Sequence, residues 1–134
     1  MLRKHSDETD PADWFYLAKD RLRAADILWQ SEGLTASGIE LLQEAVDRYL
    51  KGYLIAKGWT LVRTHDLDSL LNEAIDHDPR FADFKSLADG LTNDFFAQHY
   101  PGGDWTDIGR HYQPHRDQTE NLVELIRNIL PQHF

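Results

Sequence analysis

The sequence predicts an all-α fold, an antiparallel up-and-down bundle of four to five helices. Apolar residues recur at three- and four-residue steps through most of the 134 residues, which is the spacing of one helix face. Two Asp-Pro pairs, at 10–11 and 78–79, are typical of helix starts, because aspartate caps free N–H groups and proline needs no partner at the first helical position. No segment alternates apolar and polar residues as a half-buried strand does.

Two long helices come first. Asp10 and Pro11 begin a helix that we expect to reach about residue 30. After a loop, the spacing from Ser37 to Glu40 is that of a capping box, so a second long helix starts there. It should stop at Gly58, because glycine commonly follows a helix end. The apolar stripes are Phe15, Ala18, Leu22, Ala25 and Trp29 in the first helix, and Ile39, Leu42, Val46, Tyr49, Leu50 and Tyr53 in the second.

Three further helices follow. Residues 64–66, Thr-His-Asp, precede a short third helix, and the Asp-Pro pair at 78–79 begins a fourth that extends to about Gln98. We expect Pro114 to open the last helix, which ends at Pro131. Their apolar stripes are Leu67, Leu70, Leu71 and Ala74, then Phe81, Phe84, Ala88, Leu91 and Phe95, then Leu122, Leu125, Ile126 and Ile129.

Between the last two helices, residues 99–114 are predicted to form an irregular aromatic loop. This stretch holds two prolines, three glycines and two histidines and has no helical period. We expect its large aromatic residues Tyr100, Trp105 and Tyr112 to pack onto the bundle. A loop of this length either covers the core or positions polar groups for a ligand, and both interpretations stay open.

Composition limits the class of protein. We expect one domain over residues 10–134, preceded by a flexible segment at 1–9. The chain has no cysteine, which excludes disulfides, cysteine-ligated zinc and thiol nucleophiles. No apolar run is long enough for a membrane span and no signal-peptide core is present, so we expect a cytoplasmic protein without a membrane partner. We expect no cofactor.

Charge argues against a general nucleic-acid binder. The net charge is −9, and residues 64–134 hold thirteen acidic against five basic side chains, whereas residues 1–63 hold ten against nine. A protein that neutralises many phosphates needs the opposite balance. Fifteen aromatic residues are also more than a slender core readily hides, which favours a self-association surface and a homodimer.

Arg110 and His115 are the candidate catalytic pair, and four residues lie between them in the sequence. An imidazole can take the proton from a ribose 2′-hydroxyl, and a guanidinium can stabilise a charged phosphorane, so the pair suits RNA cleavage without a metal. The alternative is a chance spacing with a structural use. His111 and His115 also have the spacing of two metal ligands on a helix, but Pro114 interrupts it and no third ligand is indicated, so we expect no metal site.

Arg48 and Lys51 on the second helix are the candidate binding residues. Lys51 lies one turn from Asp47, and an ion pair between them is one interpretation. A basic groove that holds a phosphate is the other.

Four stretches of this sequence resemble HEPN domains (higher eukaryotes and prokaryotes nucleotide-binding). Residues 44–54, EAVDRYLKGYL, are similar to the family's QAxEKxLKAxL helix, and residues 65–71, HDLDSLL, are similar to its tHdLxxLL segment. The first helix, with Trp-Phe at 14–15 and Ala-Ala at 24–25, resembles the family's opening helix, and residues 98–101, QHYP, resemble its RYPD segment. The likeness covers about residues 11–130.

This resemblance implies a helical bundle that dimerises and is often encoded beside a minimal nucleotidyltransferase, in systems similar to toxin–antitoxin pairs. It implies either a non-catalytic companion of that enzyme or a metal-independent endoribonuclease. The companion would contact a nucleotide or its partner through Arg48, Lys51, His99 and Tyr100. The endoribonuclease would cleave single-stranded RNA with Arg110 and His115, whose spacing matches the family's Arg-x4–6-His pattern, although Arg116-Asp117 follows instead of the usual Tyr.

Overall fold

The computed structural model describes residues 6–134 as an all-α bundle, which confirms the predicted fold class, and no strand occurs within that range. The five helices are α1 (Pro11–Glu32), α2 (Ala36–Ala56), α3 (Leu67–His77), α4 (Lys85–His99) and α5 (Thr106–Ile129). Short 3₁₀ helices occupy Pro79–Phe84 and Pro131–His133. No helix in the described part of the chain is both long enough and apolar enough to cross a membrane.

Helices α1 and α2 form the central hairpin of the bundle. Asp10 caps α1 as predicted, because its side chain accepts a hydrogen bond of 3.0 Å from the Ala12 N–H. The predicted cap at Ser37 is wrong. Helix α2 is capped instead by Thr35, whose extended backbone directs the hydroxyl to the Gly38 N–H at 2.9 Å. Helix α2 therefore begins at Ala36, directly after the hairpin turn at residues 33–35 and one residue before Ser37.

Helices α3 and α4 cover one side of α2. Asp66 caps α3, since its Oδ1 accepts from the Asp68 N–H at 3.1 Å. Asp78 also begins a helix as predicted, but residues 79–84 form a 3₁₀ helix, and the α-helix starts only at Lys85. Phe81 and Phe84 on this 3₁₀ segment are buried, so the tighter winding serves to bring two rings into the core.

The irregular segment is shorter than predicted, because α5 begins at Thr106 and contains Pro114. Between α4 and α5 only residues 100–105 lie outside helices, so the prediction of a loop over 99–114 is wrong. Proline inside a helix costs about 3 kcal/mol, but Pro114 is exposed, and water can solvate the carbonyl it leaves unpaired. Tertiary packing outweighs this cost: Tyr112 is buried, and its ring stacks on Trp29 with centroids 4.3 Å apart.

The aromatic residues of this segment do not all pack onto the bundle. Tyr112 is buried and Trp105 is half-buried, as expected. Tyr100 is 74% exposed, so the expectation that it packs onto the bundle is wrong. Tyr100 directly follows the last residue of α4, and its ring contacts that of His99.

One hydrophobic core joins all five helices, built mainly around α2. The ring of Phe15 lies directly on Gly52, where a Cβ would come within 2.6 Å of Phe15 Cε1. The glycine that stands in the family-like helix at 44–54 therefore admits a phenyl ring from α1. The largest fully buried side chains are Tyr49, Tyr53, Phe15, Phe81, Ile39, Leu42, Leu50, Leu54, Leu67, Leu70, Leu71 and Leu87.

Ahead of α1, residues 6–9 form a turn that is tied to the bundle. The Trp14 indole donates to the Glu8 carbonyl at 2.9 Å, and the Arg63 guanidinium donates to the Glu8 carboxylate at 2.7 Å. Residues 1–5 of the predicted flexible segment lie outside the described residues, and the flexibility of 1–9 stays a prediction.

Candidate functional site

Arg110 lies on the outer surface of α5. Its side chain is 73% exposed, and its Nη1 lies 3.5 Å from Oδ1 of Asp107, one turn earlier on the helix. An exposed ion pair of this kind contributes about 0–1 kcal/mol, because water screens it. The guanidinium can therefore meet an anion that approaches from outside.

His115 is packed between α5 and α4. Its side chain is 15% exposed, and its Nδ1 lies 3.3 Å from Oδ2 of Asp94, in a contact that is not aligned as a hydrogen bond. The ring edge lies on Gly90, where a Cβ would come within 2.4 Å of Nε2. Both ring nitrogens thus face α4, and a glycine at position 90 is what leaves room for the imidazole.

Arg110 and His115 share α5 but do not share a face of it. Five residues at 3.6 residues per turn rotate a side chain by about 140° around the helix axis. Arg110 is consequently exposed, whereas His115 is mostly covered by α4. Within residues 6–134 no hydrogen bond or ion pair links Arg110 to His115 or to a partner that they share.

The histidine pair at 111 and 115 has ring centroids 6.0 Å apart. Among the described residues no group of three or more His, Asp or Glu side chains could hold a metal ion.

Arg116, which follows His115, joins α5 to α1. Its Nε and Nη2 donate to the two carboxylate oxygens of Asp26 at 2.7 and 2.9 Å, and its Nη1 donates to Glu120 at 3.0 Å. The hydrogen bonds with Asp26 raise the pKa of Arg116 above its ordinary value. A bidentate guanidinium–carboxylate pair fixes both groups in direction, so Arg116 serves as a clamp between two helices.

Lys51 is buried rather than open to a phosphate. Its side chain is 4% exposed, its Nζ lies 2.8 Å from Oδ1 of buried Asp47, and the ammonium lies 5.7 Å from the centroid of the Trp14 ring. The predicted ion pair with Asp47 is confirmed. Because the ammonium is enclosed, it cannot form one side of a basic groove.

Arg48 is also engaged by its neighbours on α2. Its Nη1 donates to the Glu44 carbonyl at 3.2 Å, and its Nη2 lies 3.7 Å from the Glu44 carboxylate. Arg21 of α1 approaches the same carboxylate at 3.7 Å. Arg21 also lies 3.0 Å from Asp20, so the two guanidinium groups are balanced by two carboxylates at this point of the surface.

His65 contacts the second carboxylate oxygen of Asp47. The sequence did not predict His65 as a site residue. His65 Nδ1 lies 2.8 Å from Asp47 Oδ2, although 18 residues separate the two in sequence. An ionised carboxylate only accepts hydrogen bonds, so Nδ1–H of His65 donates to Asp47, and the other ring nitrogen, Nε2, takes no part in this contact. Gln43 of α2 donates to the His65 carbonyl at 3.4 Å and helps to hold this residue in place.

Aromatic rings continue from the end of α4 onto the surface. His99 stacks on Phe95 at 5.6 Å and meets Tyr100 edge-to-face at 5.1 Å, and Phe95 meets Phe96 edge-to-face at 5.8 Å. Phe96 is 65% exposed. We call these four residues, Phe95, Phe96, His99 and Tyr100, the aromatic rim. The rim contains both residues that the sequence proposed for binding at this position, His99 and Tyr100.

The aromatic rim borders a cleft of about 670 Å³ between α2, the start of α3 and α4. Its surface is mostly apolar. Arg110, His115 and Lys51 do not line it. Its lining residues are Glu40, Gln43, Glu44, His65, Asp66, Thr92, Phe95 and Phe96.

The comparisons with known proteins identify a family. The model of the HEPN domain matches residues 11–131. No curated protein and no solved structure matches the chain.

Proposed function

Because this chain belongs to the HEPN domain family, we propose that it is a non-catalytic binding member, a dimeric companion of a nucleotidyltransferase in a toxin–antitoxin-like pair. The observation that carries this proposal is the position of His115, which packs against Gly90 and Asp94 while Arg110 lies on the outer surface of the same helix. RNA cleavage without a metal needs a base and a cation at one phosphate. These two side chains diverge.

The cationic residues of α2 also favour a non-catalytic companion that binds a protein. Lys51 is enclosed beside Asp47, and Arg48 shares Glu44 with Arg21. Residues 64–134, with thirteen acidic and five basic side chains, add a negative field that suits a basic protein partner better than a polyanion.

The test is co-expression with the protein encoded beside this chain, which we expect to be a nucleotidyltransferase, followed by size-exclusion chromatography with light scattering at micromolar concentration. We expect one species that contains both proteins, with two copies of this chain. Two separate species at that concentration would contradict the proposal.

A metal-independent endoribonuclease is the second candidate function. It is favoured by the exposure of Arg110, which a second copy of the chain could meet, and by the contact between His115 and Asp94, which orients an imidazole beside a carboxylate. Cleavage of single-stranded RNA that resists a chelator and is lost in His115→Ala would support it. The matched control is His77→Ala, because His77 is an exposed histidine on α3. Activity that survives His115→Ala would remove this assignment.

A further inference from the structure

The cleft beside the aromatic rim has walls that favour a flat, apolar-faced group. Phe95 and Phe96 line it, and Phe96 keeps 65% of its surface exposed. An exposed phenylalanine at the edge of a concave, mostly apolar surface is typical of a binding site, because a large apolar group left in water costs free energy unless something covers it. Tyr100 extends the same rim with a ring that is almost fully exposed.

The acidic side chains of this cleft are carboxylates, and they lie beside Gln43 and Thr92, which can both donate and accept hydrogen bonds. Glu40, Glu44 and Asp66 contribute carboxylates, and no lysine or arginine is among the lining residues. Glu44 is partly compensated by Arg21 and Arg48, each 3.7 Å away. Asp66 already accepts from the Asp68 N–H and the Ser69 hydroxyl as the cap of α3. Glu40 is exposed and forms no ion pair within residues 6–134, so its charge is available to a ligand.

His65 adds an imidazole ring whose orientation is fixed. Its Nδ1–H is held by Asp47 at 2.8 Å, and Lys51 holds the other oxygen of the same carboxylate at 2.8 Å. The imidazole side chain is 75% exposed and lines the cleft. A phosphate would meet carboxylates here, and its charge would be repelled. A group with several N–H donors and positive charge would be attracted.

We infer that this cleft binds an arginine side chain from a basic segment of a partner protein. A guanidinium has five donors in one plane and a weakly hydrated face that stacks on aromatic rings, so it matches both the acceptors and the rings of this cleft. An ammonium has the charge without the flat face. The inference deepens the proposed function, on which it rests, by placing the contact with a partner protein between α2 and α4.

The experiment measures binding of a fluorescein-labelled peptide of alternating arginine and glycine by fluorescence anisotropy, on the full chain. We expect saturable binding that weakens roughly five-fold or more in Phe96→Ala, because a few residues near the centre of an interface carry most of the binding energy. Glu40→Gln should weaken binding and also reduce its dependence on salt concentration. Both positions are exposed, so the variants should keep the helical circular dichroism of the parent protein.

The matched controls lie outside the cleft. Ile27→Ala truncates another exposed apolar side chain on α1, and Glu73→Gln removes another exposed carboxylate on α3. Both should bind the peptide with the affinity of the parent chain. A peptide with citrulline in place of arginine, which has the same shape without the charge, should not bind, and a lysine peptide should bind more weakly.

Three results would overturn the inference. One is equal affinity of Phe96→Ala and Ile27→Ala for the peptide, and another is binding of the citrulline peptide as tight as that of the arginine peptide. The third is a homodimer that Phe96→Ala converts to monomers while peptide binding stays unchanged, since the rim would then be an interface between two copies. If the peptide binds as expected but the nucleotidyltransferase does not co-purify, the cleft stands and the proposed function fails.

Discussion

Asp47 is a carboxylate held from two sides in the interior of the bundle. Lys51 and His65 each lie 2.8 Å from one of its oxygens, and the Asp47 and Lys51 side chains are almost fully buried. An ion pair in this position is costly to break, because the group that remains is charged, desolvated and unpaired.

Asp47→Ala should therefore destabilise the protein strongly. We expect a loss of about 3–5 kcal/mol in the free energy of unfolding, since the Lys51 ammonium would stay buried without its partner. Urea unfolding followed by circular dichroism measures this change. Asp76→Ala removes an exposed carboxylate from α3 and should change stability by less than about 0.5 kcal/mol. Equal effects of the two substitutions would contradict the role given to the buried pair.

Gly52 is a position where one methyl group should be destabilising. A Cβ there would come within 2.6 Å of the Phe15 ring, so Gly52→Ala should cost about 1–3 kcal/mol despite the better helix propensity of alanine. Gly109→Ala is the matched control on α5, because its Cβ would lie 3.6 Å from Leu34, an ordinary contact. That variant should gain up to about 1 kcal/mol. Thermal unfolding of both variants distinguishes the ring contact from a general effect of glycine.

Tyr112 has a hydroxyl that is buried without a hydrogen-bond partner within the described chain. Tyr112→Phe keeps the stack on Trp29 and removes that group, so stability should be unchanged or higher by up to about 1 kcal/mol. Burial raises the pKa of Tyr112 to about 12, from 10.0. A raised folded pKa gives stability that is complete below pH 10 and is lost as the pH rises toward 12. In unfolding measured from pH 9 to 12, Tyr112→Phe should lose less stability than the parent; an identical slope would contradict this.

At the scale of the elements, the attachment of α5 to α1 rests on a few side chains. Arg116 reaches Asp26 with two hydrogen bonds, and next to it Tyr112 stacks on Trp29. Arg116→Met should lower the free energy of unfolding by about 1–3 kcal/mol. It removes charge-assisted hydrogen bonds and leaves the half-buried Asp26 carboxylate without that partner. Arg116→Lys keeps the charge without the bidentate geometry and should restore only part of the loss. Full recovery in Arg116→Lys, measured by urea unfolding, would show that charge alone matters.

Helix starts were predictable where the signal is local. Asp10-Pro11 and Asp66 act within one turn of the chain, and the structure confirms both. The start of α5 was not predictable, because Gly109 and Pro114 weaken the local helix pattern, and the compensating contact of Tyr112 is with Trp29, far away in sequence.

The candidate site was harder to predict for the same reason. The spacing of Arg110 and His115 matches a family pattern, but spacing does not show that α4 covers one of them. The pair of Asp47 and His65 joins two elements across 18 residues, and no periodicity reports such a contact. The ion pair of Lys51 with Asp47 could be predicted from the sequence, because the two residues are one turn apart on α2, and it is confirmed.

At the scale of the whole molecule, the bundle separates two kinds of surface. The acidic and apolar cleft lies between α2 and α4, whereas Arg110 lies on the outer face of α5. A homodimer remains a prediction for this molecule, and it is compatible with the exposed side chains of Phe96, Tyr100, Ile27 and Val62. Sedimentation at micromolar concentration should give twice the mass of 15.6 kDa, and a single species at the monomer mass would contradict it.

The stack of Trp29 on Tyr112 also provides an intrinsic fluorescence probe of the fold. An indole held 4.3 Å from a phenol ring at the junction of the first and last helices emits from a sheltered environment. Detachment of the last helix would hydrate that indole and shift its emission to longer wavelength. In a variant whose other three tryptophans are replaced by phenylalanine, a fluorescence spectrum can follow the release of α5 without any label.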